Sequence, residues 1–275
     1  MRSLLATVLA AYLIAAIHSI LAFVNKRRSV QRVAEWATIA GFVVHTCTLA
    51  YDWMIDGHYP LFFLRETVSF LAWALVAVYA LVLYRYRAQA VGAFTMPLIS
   101  ILIFIALLVN PGPANAPESF SATRLFPIHT TLLIFAYAAF FIVFMASVMY
   151  LLQERELRLK TFSAIFHRLP PLTTINELAT SSAVVGLSLL TLGIATGMIW
   201  SRTRDGRMWH NDPKEIFAAL TWLVYLVLII YRSTADWRGR RAAWLGVLGF
   251  ALVLCTLFGA RLLGGYHTFG LLLGN

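Results

Sequence analysis

SSAVVGLSLLTLGIATGMIW (181–200), SRTRDGRMWHNDP (201–213) and KEIFAALTWLVYLVLIIY (214–231) are the consecutive stretches whose reading decides the fold. The outer two are apolar runs long enough to cross a hydrocarbon core, which takes about 20 helical residues. The middle one is polar and basic and carries Trp209, the composition of a connection lying at a bilayer surface. Outward from it the pattern repeats. Apolar runs fall near 3–24, 33–51, 66–84, 92–109, 126–152, 181–200, 214–231 and 241–262, eight in all. The expected fold is all-α: a polytopic integral membrane protein with eight transmembrane helices, forming a single transmembrane domain over residues 1–275.

Composition agrees. Hydrophobic residues make up 60% of the chain and charged residues 12%, too few charges for a soluble domain of 275 residues. The net charge of +10 would suit nucleic acid, but the basic residues sit in short clusters between apolar runs, as membrane topology requires. No nucleic-acid partner is expected. Cys47 and Cys255 lie far apart in separate apolar runs, which excludes a disulfide scaffold, a cysteine zinc site and a thiol relay. The first run is longer than the ~7–15 residues of a signal-peptide core and is followed by Asn25-Lys26-Arg27-Arg28, so it reads as a retained helix.

The basic residues also set orientation. Fourteen of the 22 Lys and Arg lie in the first, third, fifth and seventh connections, and eight on the other side. Positive-inside then places both termini outside the cytoplasm; the membrane expected is a bacterial inner membrane. Arg202, Arg204, Arg207 and Lys214 break that rule locally, since all four fall in the one outer connection between the sixth and seventh spans.

In this topology His129 opens the fifth helix on the same outer face, and His267 follows the eighth behind Gly264-Gly265. Two neutral imidazoles on neighbouring helix ends suit the two axial positions of a haem iron. Arg202, Arg204, Arg207 and Lys214 would hold the haem propionates by charge-assisted bonds. Trp209 would lie against the macrocycle. Each piece also has a plainer reading. Asp212 is expected at the haem site with them, yet Asp212-Pro213-Lys214-Glu215 is also a nearly ideal helix start. Trp209 fits an interfacial belt, and the arginines fit lipid phosphates. His45 lies about 9 Å below the outer surface, six residues before Tyr51. It is a second haem contact, a ligand on a route through the membrane, or a neutral imidazole bonded to a neighbouring helix. His58, His167 and His210 sit in polar connections and read as solvated.

From His45 to Phe269 the chain resembles the cytochrome c assembly superfamily of the CcsA/CcmC type, and within it the short HemX/YpjD-like members. The resemblance rests on His45 with Gly57-His58-Tyr59-Pro60-Leu61 and Glu66-Thr67, on Ile128-His129 with Tyr137-Ala138 and Phe140, and on Leu169-Pro170-Pro171-Leu172. It continues through Leu190–Gly197, Trp200 and Asp212-Pro213-Lys214-Glu215 to the closing Gly265-Tyr266-His267-Thr268-Phe269. In the family's tryptophan-rich signature W-G-x-x-W-x-W-D-P-K-E, two aromatic positions read Asp205 and Asn211 here and only Trp209 remains. The resemblance implies that His129 and His267 are axial ligands of a non-covalent haem b, and that His45 is the histidine within the membrane. It further implies a protein that binds or hands over haem at the extracytoplasmic face, in cytochrome c assembly or haem homeostasis. Its partners would be another membrane subunit or a haem-accepting protein.

No catalytic nucleophile, phosphate loop or thiol pair is present, so a non-enzymatic role is expected. The alternative is a regulatory or scaffold protein of tetrapyrrole metabolism whose haem site has degenerated. A small-solute transporter would need paired broken helices and buried charges at mid-membrane, where the chain offers only His45 and His18.

Overall fold

The computed structural model describes residues 2–25, 27–110, 124–160, 166–233 and 239–259. Eight helices are long and apolar enough to cross a membrane. They are α1 (Arg2–Asn25), α2 (Arg28–Asp56), α3 (Leu64–Tyr86), α4 (Ala90–Leu108), α5 (Leu125–Leu159), α6 (Leu172–Asp205), α7 (Pro213–Ser233) and α8 (Arg240–Leu254, continued by a π turn at Cys255–Gly259). There is no strand among the described residues. Each expected span is found. Several helices run past their apolar stretch, because backbone hydrogen bonding continues into water where polar residues tolerate helix. Thus α5 carries its Glu/Arg-rich end to Leu159, where Lys160 takes a left-handed conformation and its N–H caps the turn. Pro171 stands just before α6, where its missing N–H costs nothing. The residues fall into two compact units, Met1–Thr123 and Arg124–Asn275.

In the first unit α1 packs on α2 and α4, and α3 on α4. Apolar packing cannot by itself separate helix–helix from helix–lipid contact, so small residues and polar bonds carry association inside a membrane. Both are seen. Gly41 of α2 lies against the Tyr12 ring of α1, with 2.6 Å between that ring and a hypothetical Cβ. Tyr12, His45 and Ser69 tie α1, α2 and α3 together through one buried imidazole. Trp73 of α3 donates its indole N–H to Thr46 of α2 at 2.9 Å. Large apolar side chains such as Ile17, Ile39, Leu81 and Ile101 point outward, as lipid-facing positions require.

In the second unit α5 packs on α6 and α8, and α7 on α6 and α8, around a core that includes Tyr137, Phe140, Leu190 and Tyr225. Phe140 and Tyr225 stack with ring centres 3.6 Å apart. The α5–α6 seam is antiparallel and glycine-lined. Gly186 faces Phe140, Gly193 faces Leu133 and Gly197 faces His129, each step along α6 matched by an equal step back along α5. Two polar bonds pin α7 to α6, one at mid-helix and one near the end of α7. Trp222 donates to Thr191 at 2.9 Å, and Arg232 donates to Asn176 at 3.4 Å.

Candidate functional site

His129 sits one turn inside α5, after Pro127 in the first turn, where a proline is tolerated. Its Nδ1 lies 2.7 Å from the Gly193 carbonyl oxygen. A carbonyl only accepts, so Nδ1 carries the proton and the Nε2 lone pair is the one able to ligate. This is the arrangement by which proteins orient a metal-binding imidazole. Gly197 makes room for the ring: a Cβ there would stand 2.5 Å from His129 Cε1 and 2.6 Å from Nδ1. Trp200 lies nearly parallel to the imidazole, centroids 6.5 Å apart, and Phe126 packs on Trp200 in turn.

The connection from α6 to α7 is built by its own side chains. Gly206 closes α6 in a left-handed conformation, φ 71°, with its N–H on the Arg202 carbonyl. Asn211 also has positive φ and accepts the Trp209 indole N–H at 2.8 Å. Asp212 caps α7: its Oδ1 accepts the Lys214 N–H at 2.8 Å. Glu215 completes the capping box by accepting the Asp212 N–H at 3.3 Å, and also takes the His210 N–H at 2.8 Å. The His210 ring is not solvated, contrary to the sequence reading. It is largely covered, with Ser201 Oγ at 3.3 Å, Glu215 Oε1 at 3.5 Å and Asp205 Oδ2 at 3.9 Å. A single helical-wheel reading misses this, because the three partners come from the end of α6 and the start of α7.

His129, Trp209 and Lys214 face one cleft, together with Tyr137, Met208 and Glu215. It encloses about 740 Å³ of empty space, open solvent included. Its walls are mostly apolar with a few convergent polar groups, the usual make-up of a small-molecule or cofactor site. The other expected residues lie elsewhere. Arg202, in the last turn of α6, and Arg207, on the connection, are both exposed. Arg204 is laid over the Trp200 ring at 4.7 Å and pairs with Asp205. Asp212 is buried under the start of α7. His45 is fully buried in the first unit, with Tyr12 OH 3.2 Å from Nδ1 and Ser69 Oγ 3.0 Å from Nε2. His267 lies outside the described residues.

Residues 61–267 match the family model described as "Cytochrome C assembly protein". The chain is similar to the cytochrome c biogenesis protein CcsA of Prochlorococcus marinus (strain MIT 9515), 30% identical with 93% of this chain and 89% of that protein covered. It is likewise similar to CcsA of Synechococcus sp. (strain RCC307), at 29% with 89% and 86% covered, and of Guillardia theta, at 28% with 90% and 88% covered. These relatives carry the CcsA name and lend no support to the narrower HemX/YpjD-like expectation. Among solved structures, the cytochrome c haem lyase CcmF has the same fold, with a TM-score of 0.68 at 17% identity, covering 93% of this chain and 45% of that one. The expectation of a non-enzymatic protein is thereby corrected. The lack of a recognisable nucleophile does not argue against catalysis, since holding two reactants in place accelerates their reaction.

Proposed function

The chain belongs to the cytochrome c assembly protein family, and from that premise we propose that it binds haem in the cleft between α5, α6 and α7 and holds it for attachment to a cytochrome c. A role in cytochrome c assembly follows from the family; the haem site, its face of the membrane and the attachment step are our reading. The observation that carries it is His129, tautomer fixed by the Gly193 carbonyl and ring seated on Gly197, opening onto a cleft walled by Trp209. The donor set fits haem: an oriented imidazole, an aromatic face, apolar walls and one cation, Lys214, for a propionate. His267 would supply the second imidazole, and Arg202 and Arg207 further propionate contacts. When bound, haem supplies the iron and the vinyl-bearing macrocycle that the acceptor takes up.

The chain's own residues orient and shield. Gly193 holds the His129 proton on Nδ1. Asn211 steadies the Trp209 indole, and the Asp212–Glu215 cap fixes the loop relative to α7. We place this cleft on the extracytoplasmic side of a bacterial inner membrane, with residues 1–275 acting as one transmembrane assembly domain, a haem-accepting protein as partner, and a second membrane subunit beside it. The test is the visible spectrum of the protein purified in mild detergent. A haem band that is lost in His129→Ala and regained with added imidazole supports the proposal. A parent protein that takes up no haem even when it is supplied overturns it.

A further inference from the structure

A second polar cluster, in the first unit, has no part in the haem site. Asp56 ends α2, Gly57 turns the chain at φ 66°, His58 follows, and Glu66 sits in the first turn of α3. One ligand atom from each of Asp56, His58 and Glu66 lies within 4.8 Å of the others. His58 is buried, held edge-on between Phe62 and Phe63 with centroids at 5.4 and 5.6 Å. Its Nδ1 lies 3.3 Å from the Tyr59 carbonyl, which can only accept, so the proton sits there. Nε2 then turns a lone pair toward Glu66 Oε1 at 4.0 Å. Two acceptors face each other across a gap too long for a hydrogen bond. Glu66 uses its other oxygen, accepting the N–H groups of Phe62 and Phe63.

Behind this lie two buried charged groups, each with an unsatisfied atom. Asp52, one turn before Asp56 on the same helix face, is 9% exposed, and its Oδ1 has no hydrogen-bond partner among the described residues. Arg65, the neighbouring cation, is 5% exposed with one guanidinium nitrogen equally unpartnered. Arg65 interacts with Asp52, while the carboxylates of Asp56 and Glu66 lie close enough to repel one another beside His58, a repulsion that a bound cation relieves.

We propose that Asp56, His58 and Glu66 bind a divalent transition cation of the zinc type. One imidazole with two carboxylates selects such an ion over magnesium or calcium. The Tyr59 carbonyl orients the imidazole from behind, as such sites require. Tetrahedral coordination at about 2.0–2.2 Å sets ligand atoms ~3.4 Å apart, a closure of up to about 1.4 Å from the present 4.8 Å spread.

The experiment is a Zn²⁺ titration of the full chain, purified without a polyhistidine tag and competed against a chromophoric chelator. One tight Zn²⁺ per chain is expected. Its affinity falls at least ~10-fold in Asp56→Asn and His58→Gln, while both variants keep the spectroscopic haem site and His129→Ala keeps the zinc. Asp56→Asn, at a half-exposed helix end, carries the test even if His58→Gln does not fold. Zinc binding unchanged in Asp56→Asn, or absent from the parent, overturns the proposal; a failed haem spectrum with zinc intact overturns only the haem reading.

Discussion

At the residue scale the site depends on a missing methyl group. Gly197→Ala would put a Cβ against the His129 ring, and the ring, held at Nδ1 by Gly193, must turn away from the cleft. Haem affinity in a spectral titration should drop ~10-fold or more, in line with the usual cost of overpacking of ~1–3 kcal/mol. Asp212 makes the opposite case. Its carboxylate is committed to the Lys214 N–H, so Asp212→Ala should lower thermal stability by about 1 kcal/mol while Asp212→Asn, which still caps, is nearly neutral. A large loss of haem in Asp212→Asn with stability intact would show that the carboxylate also serves the ligand. The cap motif was legible in the sequence because capping is local, involving residues two and three apart. The burial of His210 and His58 was not, since each is covered by groups brought in from a neighbouring helix.

At the scale of the elements, the α5–α6 seam decides where His129 stands. Its three glycines are not equivalent. A Cβ at Gly193 meets the end of Leu133, which can swing aside. A Cβ at Gly186 meets Phe140, fully buried and stacked on Tyr225. Gly186→Ala should therefore destabilise by about 1–3 kcal/mol and Gly193→Ala by clearly less, measured by thermal unfolding in detergent. Equal effects would mean that the seam is not packed as described. The existence of both helices could be read from their apolar length alone. Their mutual register could not, because glycine spacing along α6 acquires meaning only once the large side chains of α5 are known to face it.

For the whole molecule, orientation in the bilayer rests on the asymmetric placement of 22 basic residues. Reporter fusions after Pro113 and within 202–208 should be active outside the cytoplasm, and one after Lys160 inside. A fusion within 202–208 that reports inside would place the cleft on the wrong face for an outer haem site. Eight spans, the all-helical class and family membership were determined by the sequence itself, since twenty apolar residues in a row have no other stable state in lipid and a motif's order survives any packing. Tertiary structure decided which of the nine nominated residues share a cleft. It gathered His129, Trp209 and Lys214, seated Arg204 on Trp200 and enclosed His45 between Tyr12 and Ser69. Those choices turn on approaches of a few ångströms between helices distant in sequence, and hydropathy along a chain contains no record of such distances.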